Sequence, residues 1–220
     1  MNKRHAVAVM VKVPEPGYVK TRLLPALTEV EAAGLYECFL KDIFGKLSML
    51  EHVDLFAAYT PRGHKKRIAA LLPDGVGLMP QKGNSLGDRM YNVFRRLLVK
   101  GYKRVLVLGS DSPDLPLGYV EDAFRCLGEK GSEMVLGPAL DGGYYLVAMD
   151  ILTRIPFTGI SWSTDRVLKE TLKRARQGNI NARLIEPWHD IDTPGDIDKL
   201  RGNEAAPESA RFIGSLKSLQ

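Results

Sequence analysis

Cysteine is scarce in this chain: 220 residues contain two, Cys38 and Cys126. One pair makes no disulfide framework, and two sulfurs are too few for a cysteine zinc site. Histidine is scarce too. His5, His52, His64 and His189 show neither His-x-x-x-His nor mixed Cys/His ligand spacing. No apolar run approaches the ~20 residues of a membrane-spanning helix. No small-residue cleavage site follows a signal-type apolar stretch near Met1, so the expectation is a cytoplasmic protein with no membrane span. Gly-x-x-x-x-Gly-Lys-[Ser/Thr] is missing, and so is Gly-x-Gly-x-x-Gly, the two familiar glycine-rich phosphate loops. Helix-turn-helix, RNP, KH and zinc-finger signatures are missing as well. The net charge of +5 is therefore not read as a nucleic-acid surface.

What is present is an ordinary globular composition, 45% hydrophobic and 26% charged. A domain of this size buries roughly 70–75% of the surface its unfolded chain exposes, enough for a core without staples. Strand-like and helix-like stretches alternate almost throughout. Ala6–Val13 is an apolar run, the mark of a strand buried on both faces. Thr28-Glu29-Val30-Glu31 reads as a capping box opening a helix to about Leu50. Strands are expected at Val53–Tyr59, Val76–Met79, Arg104–Leu108, Glu133–Leu136, Tyr144–Met149 and Arg183–Glu186. Helices are expected from Thr60-Pro61 to near Leu72, from Ser85 to about Lys100, over Leu117–Glu129 and Ser163–Gln177, and from Thr193-Pro194 to about Arg201. Only Gly137–Gly143 separates two of the strands, so an antiparallel neighbour is expected there. The alternation predicts an α/β protein with helices on both faces of a mainly parallel, mixed central sheet. One domain is expected over 1–201. The polar, Ala/Ser-rich stretch 202–220 is expected to be a mobile tail.

In open parallel sheets, ligands bind beyond the carboxyl ends of the strands. After the first strand comes Lys12-Val13-Pro14-Glu15-Pro16-Gly17-Tyr18-Val19-Lys20-Thr21-Arg22-Leu23, three basic residues against one acid on a bent loop. Such a loop suits a phosphate or diphosphate, with Arg able to bind bidentately; the alternative is a surface loop with solvated charges. Gly109-Ser110-Asp111-Ser112-Pro113-Asp114 follows the strand ending at Leu108. A carboxylate where a buried strand emerges packs poorly, but holds a hard divalent cation well. Asp111 falls at the strand mouth, while Asp114 suits a second ligand or a turn. In Asp190-Ile191-Asp192-Thr193-Pro194-Gly195-Asp196, Asp196 has a helix-capping role, which Asp190 and Asp192 lack. Asp141-Gly142-Gly143-Tyr144 allows close backbone approach to a ligand, or simply a hairpin turn. Trp162 either stacks on a sugar or base, or staples the following helix.

Five motifs then stand in order: Lys-x-Pro-x-Pro-Gly-x-x-Lys-Thr-Arg-Leu, Gly-Ser-Asp-Ser-Pro-Asp-Leu-Pro, Leu-Gly-Pro-Ala-x-Asp-Gly-Gly-Tyr-Tyr-Leu, Trp-Ser-Thr and Asp-Ile-Asp-Thr-Pro. With them the chain resembles, over about residues 5–201, the bacterial glycosyltransferase family known as radical-SAM/selenodomain-associated transferases. That family lies in the nucleotide-diphospho-sugar transferase superfamily, with the GT-A fold, a three-layer α/β/α arrangement. Gln81-Lys82-Gly83-Asn84-Ser85-Leu86-Gly87-Asp88-Arg89-Met90 is similar to a further stretch of the family. The resemblance implies that Lys12, Pro14, Gly17, Lys20, Thr21 and Arg22, with Gln81, Gly109 and Asp111, bind nucleotide and phosphate. It implies Asp111 and Asp192 as ligands of Mg2+ or Mn2+, with Asp111, Asp141 and Lys20 as catalytic residues. Asp141, Gly142, Gly143, Tyr144 and Trp162 would face the sugar or a small-molecule acceptor.

The leading expectation is a divalent-metal-dependent transferase with a nucleotide-diphosphate sugar as donor. The first loop is also similar to that of guanylyltransferases acting on phospholactate. The alternative is thus a nucleotidyltransferase that moves an NMP from an NTP to a phosphorylated small molecule, with pyrophosphate release. A non-catalytic nucleotide binder and a nucleic-acid-binding module are the remaining alternatives.

Overall fold

The structure is a computed structural model and describes residues 5–129 and 131–216. Seven strands form one sheet: β1 (His5–Lys12), β2 (Val53–Thr60), β3 (Gly77–Pro80), β4 (Val105–Leu108), β5 (Met134–Pro138), β6 (Tyr144–Met149) and β7 (Ala182–Leu184). Their spatial order is β3-β2-β1-β4-β6-β5-β7. β6 runs antiparallel to both β4 and β5, and the other neighbours are parallel. The mixed sheet expected from the short Gly137–Gly143 connection is therefore present.

Side chains of β1 alternate between two cores, which is why its sequence reads as an unbroken apolar run. Val7, Val9 and Val11 enter one cluster with α1 (Glu29–Leu47), α2 (Lys65–Ala69), α4 (Leu117–Gly128) and α6 (Pro207–Ser215). Ala6 and Ala8 enter the other with α3 (Leu86–Val99) and α5 (Val167–Gln177). The chain winds outward from β1 through β2 to β3, then returns to place β4 on the other side of β1. Helices α1 and α3 fall on opposite faces, so a crevice opens at the carboxyl ends of β1 and β4. The capping box read at Thr28/Glu31 is formed, and the cap expected at Thr193 is completed into a second capping box by Asp196. Among the described residues, no helix is long and apolar enough to cross a membrane.

Several element boundaries differ from the sequence expectation. The helix expected from residue 60 to 72 shortens to a 3-10 turn and five α-helical residues. The helix expected from Ser163 starts at Val167, because Ser163 takes a left-handed φ of 64° that no helix accepts. The segment after Thr193 is a 3-10 helix over Pro194–Leu200.

The expected mobile tail is the largest correction. Residues 207–215 form α6, which packs along α1 with Ala206, Ser209 and Ile213 buried. Asp42 of α1, itself buried, accepts the backbone N–H groups of Glu208 and Ser209, each at 2.9 Å, and the Ser209 hydroxyl at 2.6 Å. A carboxylate from one helix thus satisfies the N-terminal donors of another. Residues 217–220 of the expected tail lie outside the described residues.

Near it, Lys46 donates to the Leu115 carbonyl at 2.9 Å. Burial pushes its ammonium down to about 8, against partial support from Asp114 and Asp42. Between pH 8 and the ordinary value of 10.5 the unfolded chain binds more protons at this lysine, so stability should rise with pH across that window. Urea titrations at pH 8 and pH 10 should show that rise in the parent and a smaller one in Lys46→Met. Equal rises would remove burial of Lys46 as its source.

Candidate active site

The crevice is a cleft of about 710 Å³. Its floor is fixed by Tyr36 of α1, whose hydroxyl accepts the Lys12 N–H at 3.2 Å and pairs with Ser110 Oγ at 2.6 Å. Burial, then the nearby Asp111, pushes that phenol up to about 12. Tyr36 therefore braces the ends of β1 and β4 as a neutral group. In the sequence it is one more apolar residue of an amphipathic helix, with no signal to mark it.

Asp111 leaves β4, and its carbonyl accepts the Ile191 N–H at 2.8 Å. That single backbone bond brings the Asp190-Ile191-Asp192 segment beside the strand mouth. Asp111 and Asp192 then share one partner, the Lys20 ammonium. Lys20 ion-pairs with Asp111 Oδ1 and with Asp192 Oδ1 at 3.0 Å, and donates to the Ile191 carbonyl at 2.8 Å. Its ammonium also lies 5.1 Å from the centre of the Phe39 ring. Burial works to lower the Lys20 pKa, but Asp111 and Asp192 overcome it and hold it above the ordinary lysine value. The Lys20 side chain is 4% exposed, against 45% for that of Asp111. The residue sits in the left-handed region, φ 49° and ψ 35°, ahead of the 3-10 turn Thr21–Leu23. For a side chain other than glycine this costs roughly 1–2 kcal/mol, which the ion pairs offset.

Asp190 lines the same cleft and accepts from Ser112 Oγ at 2.7 Å. Burial, then the fields of Asp111, Asp192 and Asp141, pushes its carboxyl up to about 6. Asp114 turns the other way. It is buried between Trp188 Nε1 at 3.4 Å and His189 Nε2 at 3.0 Å, a tie for the 188–189 segment rather than a ligand position. Asp196 bonds the Thr193 N–H and hydroxyl and Lys199, the capping role its position implied.

The first loop splits into two groups. Lys12, Lys20, Thr21 and Arg22 line the cleft, with Arg22 3.4 Å from Asp192. Pro14 and Gly17 are not among its lining residues. The Pro14 carbonyl accepts from Arg67, and Gly17, at φ 78°, lies against the Glu29 carboxylate, so both shape the loop from behind. Gln81 lines the cleft while its amide donates to the carbonyls of Ala58 at 2.7 Å and Val11 at 3.3 Å. Gly109 lines it as well, and its N–H bonds the Tyr145 carbonyl at 2.8 Å.

On the far wall, Asp141, Gly143, Tyr144 and Trp162 line the cleft. Asp141 Oδ1 accepts the Gly143 N–H at 2.8 Å, closing the turn while the residue still lines the cavity. Gly142 does not line it. At φ 89° a side chain there would overlap the Asp165 carbonyl, so this glycine is a steric requirement of the turn. The Trp162 ring lies on Gly87 in the first turn of α3, which makes it both a staple and a cleft wall. Arg89 and Ser163 also line the cleft, and the sequence reading gave neither a role. Arg89 stood inside the Gln81–Met90 motif. Ser163, strained at φ 64°, is the second residue besides Lys20 with left-handed backbone in the cleft wall.

Two carboxylates around a cation position, with a third beside them, are hard oxygen donors of the kind Mg2+ or Mn2+ accepts. Among the described residues no group of three or more acids, histidines or cysteines could hold a metal by itself. Any divalent ion here would need substrate oxygens to complete its shell.

The sequence profile of a family described as "Uncharacterized protein conserved in bacteria (DUF2064)" matches residues 44–164, more than half the chain. The chain belongs to DUF2064. No curated protein sequence matches it. This DUF2064 chain is similar to a crystal structure from Desulfovibrio desulfuricans G20, provisionally described as a nucleotide-diphospho-sugar transferase. The two share 31% identity over 98% of this chain and 96% of that one, with a TM-score of 0.88. CMP:2-keto-3-deoxy-manno-octonic acid synthetase complexed with CTP shares 12% identity, covering 90% and 97% of the two chains, with a TM-score of 0.59. Rv0371C of Mycobacterium tuberculosis H37Rv, in complex with manganese, shares 13% over 90% and 98%, with a TM-score of 0.52. The DUF2064 fold here is that of the nucleotide-diphospho-sugar transferase superfamily, as the sequence motifs implied.

Proposed function

We propose that this protein is a divalent-metal-dependent transferase that takes a nucleotide-diphosphate sugar as donor. The observation that carries the reading is the division of charge in the cleft. Its basic lining residues, Lys12, Lys20, Arg22 and Arg89, all come from the stretch that runs from β1 through α3. Its acidic ones, Asp111, Asp141, Asp165, Asp190 and Asp192, all come from the half that begins at β4. A nucleoside diphosphate suits the first half through charged hydrogen bonds. A neutral polyol suits the part of the second away from Asp111 and Asp192, where Asp141 and Asp165 accept from its hydroxyls and Trp162 and Tyr144 offer apolar faces. A phosphorylated acceptor, as nucleotidyl transfer requires, would meet like charge there.

Asp111 and Asp192 would hold the ion, which when bound neutralises charge on the departing diphosphate. Arg22 and Lys12 donate to the phosphate oxygens and orient them. Asp141, with Oδ1 engaged by the Gly143 N–H, uses Oδ2 to take the proton of the acceptor hydroxyl. The resemblance to the Desulfovibrio protein supports the donor class.

The experiment is incubation with a panel of nucleotide-diphosphate sugars, and separately with NTPs plus sugar phosphates, each with Mg2+ or Mn2+. Release of nucleoside diphosphate is expected. Pyrophosphate release would favour nucleotidyl transfer instead. Arg22→Ala should weaken nucleoside diphosphate binding about 10- to 150-fold, the equivalent of ~1.5–3 kcal/mol for a charged hydrogen bond. Calorimetry giving unchanged affinity would make Arg22 a solvated surface residue.

A further inference from the structure

The Lys20 ammonium stands where both carboxylates of the proposed cation site converge. A lysine ammonium has three N–H donors. Here three oxygens take them: Asp111 Oδ1, Asp192 Oδ1 and the Ile191 carbonyl. The Phe39 ring covers it at 5.1 Å. In this arrangement Lys20 has no donor left for a phosphate, although it lies on the loop whose other basic residues face the cleft. It also blocks the two carboxylates from sharing a metal ion. The lysine is held there with left-handed backbone, φ 49° and ψ 35°.

We propose that Lys20 is the counter-ion of Asp111 and Asp192 in the substrate-free protein, exchanged for a divalent cation when a nucleoside diphosphate arrives and offers its phosphates to the ammonium. The inference rests on the metal-dependent reading above. The two carboxylates are compensated before binding by Lys20 together with Arg22, and afterwards by the cation, with Lys20 transferred to the diphosphate. Cation and nucleotide each make room for the other, so their binding must be reciprocally coupled.

The test measures Mn2+ binding by the loss of the free-ion electron paramagnetic resonance signal, using the full chain with and without UDP or GDP. In the parent, Mn2+ affinity should rise at least tenfold when the nucleotide is present. In Lys20→Met, Mn2+ should bind without nucleotide at least tenfold more tightly than to the parent, and the nucleotide should raise that affinity by a smaller factor than it does in the parent. If Lys20→Met folds only with Mn2+ present, a thermal shift on Mn2+ addition reads the same exchange. Equal Mn2+ affinity in parent and variant without nucleotide overturns the proposal. A second measurement needs no variant. Reductive methylation of Lys20, followed by peptide mass spectrometry, should be slow in chelator and at least tenfold faster in saturating Mn2+ alone. Unchanged labelling likewise overturns the exchange. Both failures are distinct from failure of the transferase reading, which would appear as no nucleoside diphosphate released from any sugar nucleotide.

Discussion

Asp111→Asn is expected to fold, to lose metal-dependent nucleotide binding, and to turn over about 10²–10³-fold more slowly if the ion stabilises the leaving group. The fold should survive because the link that places residue 111 is its own carbonyl, bonded to the Ile191 N–H, and a side-chain amide leaves that untouched. The cation site should not survive. Asp192 alone would face both Lys20 and an incoming ion, and two carboxylates are already the minimum for a weak Mg2+ site. Without the ion, carboxylates and diphosphate meet as like charges, at roughly 4 kcal/mol per contact at 4 Å and an effective dielectric near 20. Asp196→Asn is the control: it leaves the cleft carboxylates in place and weakens the cap that accepts the Thr193 N–H and hydroxyl, at a cost of about 0.5–2 kcal/mol of stability. Nucleotide titrations with Mg2+ and with chelator decide between them. An Asp111→Asn protein that binds and reacts like the parent would sink the metal mechanism.

Asp42→Ala should destabilise the protein by about 3–5 kcal/mol, although Asp42 is far from the cleft chemistry. Its carboxylate takes three donors, the N–H groups of Glu208 and Ser209 and the Ser209 hydroxyl. Hydrogen bonds to a charged group contribute about 1.5–3 kcal/mol each, and buried donors left unpaired carry a desolvation penalty. Ser209 is fully buried, so water cannot replace the lost acceptor without opening the α1–α6 contact. Chemical denaturation would measure the loss. Hydrogen exchange should show it concentrated in residues 207–215. A change below 1 kcal/mol would mean that α6 is held by Ile213 and its apolar neighbours alone.

Much of this architecture was legible in the sequence, for identifiable reasons. The apolar run of β1, the capping box at Thr28, the Thr193-Pro194 start, and the short link between β5 and β6 are local signals, and each marked its element. The place of Asp111 at the mouth of β4, in the cleft, was legible because a charge emerging from a buried strand has no packing purpose. What escaped was set by tertiary contact. Lys20 and Asp192 are 172 positions apart, and nothing in either motif says that the lysine of one occupies the space between the acids of the others. Asp114 looked like Asp111 from its neighbours; only the fold turns it onto Trp188 and His189. The last helix was missed because its polar composition suited a tail, while its anchor, Asp42, sat on a distant helix. Pro14 and Gly17 were read as ligand contacts because they share a loop with residues that line the cleft, yet they act from its outer side.

The division of charge across the cleft also bears on how fast, and which way round, a substrate enters. A nucleotide sugar carries its negative charge on the diphosphate between the nucleoside and the sugar. The basic lining residues draw that diphosphate toward Lys12 and Arg22 before contact, which leaves the neutral sugar to settle toward Asp141. Encounters that bring the phosphates to the carboxylates first meet repulsion and dissociate. Productive association should therefore be fast in dilute buffer and slow as salt shortens the reach of the field, about 10 Å at 0.1 M ionic strength. Residence time, governed by close contacts inside the cleft, should change far less.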